Sequence, residues 1–267
     1  MVGALWGPAR YTGRVPENIE RAALGDRPHL DERPTYDPRA GQEWFIVTRL
    51  AAAIPAALAE FAPTSGRALD VGCGRQPFRR ALEARGLAYV GLDTQQNPEN
   101  TVAHVCPIDG GLPDGIGRFD FILCTEVLEH VADWPAAFEN FRRLLNPGGR
   151  ILITCPHLYP LHEEPYDFWR ATPYALAYFA ARFGLTVVRQ YRVGDGLDAL
   201  GTALAAIKLR APRGSANPLA YLAAFAGQTW RSAALWFLRR GFARSLLRGE
   251  TRLYVSNVVV LEAPRSP

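Results

Sequence analysis

The run Ala68-Leu69-Asp70-Val71-Gly72-Cys73-Gly74-Arg75-Gln76-Pro77-Phe78 decides how the rest of the chain is read. A short apolar segment enters a tight glycine turn, and an apolar-periodic segment with Pro77 near its start leaves it. That order predicts a strand, a turn and a helix N-terminus, the arrangement with which open α/β sheets build a nucleotide site. Gly72 and Gly74 let the backbone bend sharply and approach a ligand without a Cβ in the way. The next apolar run, Ala88 to Leu92, ends at Asp93, 23 residues beyond Asp70, where an acid suits a ribose diol. Two features count against a dinucleotide. Pro77 stands where G-x-G-x-x-G needs its third glycine, and Asp70 brings a carboxylate toward the place of a pyrophosphate, which like charge would repel. A ligand bearing an ammonium and a sulfonium would tolerate that acid.

Outward from the turn, strands and helices alternate. Strands are expected at Arg67 to Val71, Ala88 to Leu92, Thr101 to Cys106 and Phe119 to Cys124, the last almost wholly apolar, as a central parallel strand should be. A helix follows from Asp133, an N-cap with Pro135 in its first turn, through Phe138, Phe141, Leu144 and Leu145. It stops at Asn146-Pro147-Gly148-Gly149. Strand five is expected at Ile151 to Cys155, a helix at Thr172 to Phe183, strand six at Leu185 to Tyr191 and strand seven at Leu253 to Leu261. The repeated β-α unit predicts an α/β, doubly wound, parallel sheet. Upstream, residues 1–40 read as a loose lead-in, broken at Pro28 and Pro34. Phe45, Leu50, Ile54, Leu58 and Phe61 recur at helical spacing, so Gln42 to Phe61 should cover one sheet edge, bent at Pro55. Four segments result: the lead-in and its helix (1–62), the core (63–193), a helical insertion (194–250) and the final strand with its tail (251–267).

At 267 residues the chain is long enough for one continuous core. The net charge of +4 demands neither nucleic acid nor membrane, and Lys208 is the only lysine among 30 basic residues. Cys73, Cys106, Cys124 and Cys155 show no C-x-x-C spacing and read as thiols of a reducing compartment. Without a basic, apolar leader or an apolar run near the roughly 18 residues of a spanning helix, a cytoplasmic location is expected.

Several further strings complete a resemblance. Phe119-Asp120 opens strand four, Glu126-Val127-Leu128-Glu129-His130 follows it, and Leu145-Asn146-Pro147-Gly148-Gly149 precedes strand five. With the Asp70-Val71-Gly72-Cys73-Gly74 turn and Asp93, these resemble a class I S-adenosylmethionine-dependent methyltransferase over Arg67 to Phe183, with Leu253 to Leu261 as its final strand. The resemblance implies a Rossmann-like, mostly parallel seven-stranded sheet whose last strand is antiparallel. It implies that Gly72 and Gly74 lie under the methionyl part of S-adenosylmethionine, that Asp93 holds the ribose hydroxyls and that Asp109 meets the adenine amino group. Asp70, Cys73, Thr125 and Glu126 complete that cofactor set. The third glycine of the superfamily turn falls at Gln76, a departure that should alter the loop without abolishing binding.

Methyl transfer needs a general base only when the acceptor is a weakly acidic group such as an alcohol. Two segments could supply one. If Glu126 to His130 is helical, then Glu126, Glu129 and His130 share a face. The second segment, Cys155 to Thr172, holds His157, His162, three carboxylates, Arg170 and four aromatics, and resembles a loop of bacterial glycan and secondary-metabolite methyltransferases. Three readings compete. His130 or His162 is a base for O-methylation; or Glu126, Glu129, His130 and His162 hold a divalent metal that acidifies the acceptor; or these groups floor the cleft, with Asp167 and Arg170 an ion pair fixing the loop. The Glu-x-x-Glu-His string with a later histidine resembles metal-using small-RNA 2′-O-methyltransferases and ubiquinone-pathway O-methyltransferases. His29 and His104 read as structural.

The insertion carries Leu219, Leu222, Trp230, Trp236, Phe237, Phe242 and Leu246 among Arg231, Arg239, Arg240, Arg244 and Arg248. It reads either as an amphipathic cap on the sheet that shapes the acceptor pocket, or, over 218–249, as an interfacial pair resting on anionic lipid. The reading is O-methylation of a small, sugar-like or glycan acceptor. An RNA methyltransferase is the rival within the class, although nucleic acid is not the expected partner; a cofactor-binding regulator or scaffold without catalysis and an NAD-dependent oxidoreductase are the rivals outside it.

Overall fold

Alternation along two central strands decides which side of the sheet each residue feeds. In β1 (Gly66–Val71) and β4 (Phe119–Thr125), Leu69, Val71, Ile122 and Cys124 enter one buried cluster, while Ala68, Phe121 and Leu123 enter the other. Strands buried on both faces belong at the centre of a parallel sheet, covered by helices above and below. The computed structural model describes residues 35–39, 41–212, 214, 217–247, 249 and 252–265, without the side chains of 243 and 244. Pro28, His29, Pro34 and Arg248, and the Arg244 side chain, lie outside the described residues.

The remaining strands are β2 (Leu87–Asp93), β3 (His104–Val105), β5 (Leu145–Pro156), β6 (Thr186–Val193) and β7 (Ser256–Glu262). Their order is β3-β2-β1-β4-β5-β7-β6. Pairs among the first five strands are parallel, and β7 runs antiparallel to both β5 and β6. This is the expected seven-stranded Rossmann-like sheet. The order reverses between β1 and β4, which opens a crevice at their carboxyl ends.

One face is covered by α3 (Trp134–Leu144) and α4 (Pro173–Arg182), which bury Trp134, Phe138, Phe141 and Leu176. Both start as the sequence predicts: Asp133 Oδ1 accepts from Ala136 N (3.0 Å) and Thr172 Oγ1 from Ala175 N (3.2 Å). The other face takes α1 (Trp44–Phe61) and α2 (Arg79–Glu83), through Leu50, Ile54, Leu58 and Leu82. By length and composition alone α1 could cross a membrane. Here it lies on the sheet, with Leu50 and Ile54 wholly buried, and Pro55 falls inside it.

Four expectations need correction. Strand three, expected over Thr101 to Cys106, is only His104–Val105. Side chains upstream capture its backbone: Gln96 Oε1 accepts from Val102 N (2.9 Å) and Asn97 Oδ1 from Thr101 N (2.9 Å). Strand five starts six residues earlier than expected, because Leu145 already pairs with Phe119 and the Asn146–Gly149 stretch bulges within the ladder. Glu126 to His130 is no helix: Glu126 has φ +52°, and only Leu128–His130 forms a 3₁₀ turn. The shared helical face of Glu126, Glu129 and His130 therefore does not exist. Finally, the insertion does not cap the acceptor cleft.

That insertion contains α5 (Gly196–Ala206), α6 (Pro218–Leu238) and α7 (Gly241–Leu246). Helix α5 packs on α1, and α6 packs on α5. Gly201 explains the close approach, since a Cβ there would strike the Phe45 ring. Arg49 Nε and the buried Asp198 Oδ2 (3.0 Å) pin the same contact. Phe45, Leu235 and Leu238 form a small apolar cluster of their own. The layer thus covers α1, not the sheet.

Candidate active site

The crevice between β1 and β4 is a cleft of about 400 Å³. Its floor is the glycine turn. Gly72 (φ +67°) and Gly74 (φ +47°) are left-handed, and a Cβ on Gly72 would collide with Val127. The Leu92 carbonyl accepts from Gly72 N (2.8 Å) and Cys73 N (3.2 Å), tying the turn to β2. Asp93 reaches in from the end of β2, where its Oδ2 accepts from Gly74 N (2.8 Å) and its Oδ1 from Thr94 N (2.6 Å).

Gln76 resolves the missing glycine. It adopts φ +58° itself, and its Nε2 donates to the Thr101 carbonyl (2.8 Å). An L residue pays about 1–2 kcal/mol for that conformation, which one buried hydrogen bond of this kind can largely offset. The loop keeps its course without the third glycine.

Of the sequence-derived cofactor set, Gly72, Cys73, Gly74, Asp93, Asp109, Thr125 and Glu126 all line the cleft. Asp109 Oδ2 accepts from Asp133 N (3.2 Å), which orients it at the rim. Asp70 is the exception. It lies on the α1 face beneath the turn, 2 % exposed, where the Tyr89 hydroxyl donates to its Oδ2 (2.8 Å). It is not among the residues lining the cleft. Burial, with a smaller push from Asp93, raises its carboxyl from the ordinary 3.8 to about 7, against the bond from Tyr89.

The opposite wall carries the titratable groups. His130 lines the cleft; its Nδ1 is 2.8 Å from the Tyr166 carbonyl, which can only accept, so Nδ1 carries the proton. Its Nε2 faces Glu163 Oε2 (3.4 Å) and Glu129 Oε1 (3.9 Å). His162 does not line the cleft. It stands edge-on behind His130, with ring centroids 4.7 Å apart, and its Nδ1 lies 3.2 Å from Asp167 Oδ2. Burial lowers the His162 pKa, against the pull of Asp167. His157 is turned away, stacked on Tyr254. His104 sits in β3, consistent with a structural part.

Loop 157–172 is braced as an ion pair would brace it: Arg170 Nη1 and Nη2 donate to the two Asp167 oxygens (2.6 and 2.7 Å). Burial works to raise the Asp167 carboxyl, but the bonds from Arg170 and the His162 backbone bring it below its usual value. Glu126 is held differently from Glu129. Ser256 Oγ donates to Glu126 Oε1 (2.9 Å), and burial pushes that carboxyl up to about 7. Glu129 is 1 % exposed, its Oε2 has no hydrogen-bond partner among the described residues, and burial together with Glu126 pushes its carboxyl well above the usual range.

Ligand atoms of Glu129, His130 and His162 all lie within 4.8 Å of one another. A buried carboxylate oxygen without a partner, beside two imidazoles each fixed through Nδ1, fits a divalent cation. Glu126 is not among the three groups that converge, and its Oε1 accepts from Ser256 instead.

Sequence reasoning missed Glu163 and Tyr36. Glu163 (φ +53°) brings its carboxylate to His130, and Tyr36, from the supposed lead-in, lines the cleft and packs on Phe78 with centroids 5.1 Å apart. A carboxylate directly after His162, in a loop crowded with titratable groups, was the signal for the first. The second had none.

Known proteins place this architecture. Residues 44–187, more than half of the chain, match the family model of the methyltransferase domain. The chain is similar to the ubiquinone biosynthesis O-methyltransferase of Pseudomonas paraeruginosa, 30 % identical over 99 residues that make up 32 % of this chain and 42 % of the relative. The Marinobacter nauticus enzyme of the same name is 29 % identical over 103 residues, 33 % of this chain and 43 % of the relative. The chain thus matches less than half the length of these curated relatives. Among solved structures, the cyclase SpnF superposes with a TM-score of 0.51 at 17 % identity, covering 81 % of this chain and 82 % of that one. A chain from the complex of the Haloferax volcanii Trm112 methyltransferase activator with a methyltransferase superposes at 0.50 and 17 % identity, covering 84 % and 94 %. These two likenesses carry the fold, and the family match carries the chemistry. By that match over more than half of its length, the chain belongs to the methyltransferase-domain family, as a class I S-adenosylmethionine-dependent methyltransferase.

Proposed function

We propose that the enzyme methylates a hydroxyl of a small or sugar-like acceptor, with His130 taking the hydroxyl proton. The observation that carries this reading is the position of His130, whose proton-bearing Nδ1 is fixed on Tyr166 while Nε2 stands at the cleft wall between two carboxylates. S-adenosylmethionine, when bound, would supply a methyl group on a sulfonium sulfur. Asp93 would hold the ribose hydroxyls and Asp109 the adenine amino group, and the Gly72–Gly74 backbone would leave room for the methionyl chain. As the oxygen–methyl bond forms and the sulfur–methyl bond breaks, the acceptor proton passes to Nε2. Glu129 and Glu163 lie where they can stabilise the resulting imidazolium. Val127, Val131, Tyr36 and Phe78 give the same cleft an apolar lining. Alignment of this kind can supply roughly 7–11 kcal/mol of the barrier. The name of the curated relatives, ubiquinone biosynthesis O-methyltransferase, supports oxygen as the acceptor atom.

A second reading rests on the partnerless Glu129 Oε2. Glu129, His130 and His162 would hold a divalent cation, which would lower the pKa of an acceptor hydroxyl. A methyl-transfer screen of sugars, phenols and lipid-linked glycans, run with and without chelator, tests both. Chelator-resistant turnover that collapses in His130→Ala supports the base. Turnover lost to chelator and restored by added divalent metal supports the cation. Full turnover in His130→Ala with chelator present overturns both.

A further inference from the structure

From Ala199 to Gly249 the chain carries eight cationic residues and no carboxylate, although the other 22 Lys and Arg stand against 26 Asp and Glu. Positive charge is therefore gathered in the insertion. Helix α6 lies there and shows two apolar sides. One buries Leu235 and Leu238 against α5 and α1. The other is open: Leu219, Leu222, Phe225, Trp230 and Trp236 are 61–72 % exposed, and Phe242 of α7 is 64 % exposed. At ~100° per residue those five side chains of α6 fall within an arc of ~140°, opposite the buried pair. A soluble helix would put charge on that side. Its one charged residue, Arg231, instead turns inward, where Nε and Nη2 donate to the Leu204 and Ala205 carbonyls (2.6 and 2.7 Å) at the end of α5.

Beside this face opens a recess of about 540 Å³ lined by Arg231, Arg239, Arg240, Trp236 and Gly41. Arg240 lies over the Trp236 ring, 4.8 Å from its centre. Arg239 Nη2 donates to the Gly41 carbonyl (3.2 Å), while its buried Nε has no hydrogen-bond partner among the described residues. A buried, charged donor without an acceptor, in a recess lined by arginines, fits an anionic oxygen.

We propose that the outer face of α6, with α7, docks on an anionic phospholipid surface, and that a headgroup phosphate enters the arginine recess. Exposed Trp and Phe beside arginine suit the boundary between acyl chains and headgroups. With its other side packed on α5, α6 would rest on the membrane, not cross it. A second copy of the chain is the poorer occupant, because residues 199–249 carry cations and no carboxylate, so two such segments would repel each other.

Flotation of the full chain with vesicles tests this. Binding to phosphatidylcholine mixed with phosphatidylglycerol, weakening with salt and accompanied by a blue shift of tryptophan emission, is expected; pure phosphatidylcholine should bind at least about tenfold less. The pair Leu222→Ser with Phe225→Ser, both exposed, should weaken binding by about tenfold or more and leave S-adenosylmethionine affinity unchanged. Arg239→Gln with Arg240→Gln should erase the preference for the anionic lipid. Equal binding to both vesicles, binding to neither, or a dimer that the Ser pair dissolves would each overturn the proposal.

Discussion

The two walls of the cleft are built on different principles. One is backbone: the Gly72–Gly74 turn, fixed to β2 through Leu92 and Asp93, offers main-chain surface and one well-placed acid. The other is side chain: His130, Glu129 and Glu163 stand together because a 3₁₀ turn and loop 157–172 meet there. A wall made of backbone can serve any member of a family that shares the cofactor. A wall made of side chains from separate segments can change its chemistry by substitution without disturbing the sheet.

Perturbing each wall in turn should therefore give separable phenotypes. The largest effect is expected from His130→Ala, which should lower kcat by about 10²–10⁴-fold while calorimetric affinity for S-adenosylmethionine stays within a factor of about three. A parallel loss of cofactor binding would mean that the two walls are one unit. Asp93→Ala should do the reverse: loss of two charge-assisted hydrogen bonds predicts about 10²-fold weaker cofactor binding, read by titration. Asp167→Ala sharpens the contrast further. It strips the partner from Arg170 and loosens the acceptor loop, so the melting temperature should fall and KM for the acceptor should rise several-fold, with cofactor affinity retained.

The smallest effect concerns the acid beneath the turn. Asp70 is raised from 3.8 to about 7, so the folded state favours its protonated form. Its contribution to stability is then greatest below about pH 4 and is lost as pH rises toward 7. Asp70→Asn keeps an acceptor for Tyr89 but cannot ionise. The variant should melt at a higher temperature than the wild type above pH 7, with the gap closing near pH 4. A constant gap across that range would mean that Asp70 is not buried as a neutral acid.

The backbone wall was legible in the sequence because its demands are local. Gly72 and Gly74 must turn, Asp93 must end a strand, and Asp133 and Thr172 cap helices within three residues of themselves. The side-chain wall was legible only as an inventory. Residue types singled out His130, His162 and Glu129, but did not say that His162 would stand behind His130, or that Ser256 would reach Glu126 from the last strand. Those outcomes depend on which strand lies beside which. The error at β3 has a different origin: Gln96 and Asn97 satisfied backbone groups that strand pairing would otherwise have used. The error over the insertion came from reading amphipathicity as a cap on the sheet, when Gly201 and Phe45 seat it on α1.

Val193 at the end of β6 is the register partner of Ser256 at the start of β7. The polypeptide thus departs and returns through neighbouring rungs of one ladder, so everything between them hangs from a doorway a single strand pair wide. A tight two-residue turn could bridge that doorway, since antiparallel neighbours need no more. Whatever is grafted there can be lengthened, exchanged or trimmed while the sheet keeps its registration, and Ser256 would still arrive beside Glu126. The outer surface of the molecule can therefore be rebuilt at that doorway without rewriting the cleft.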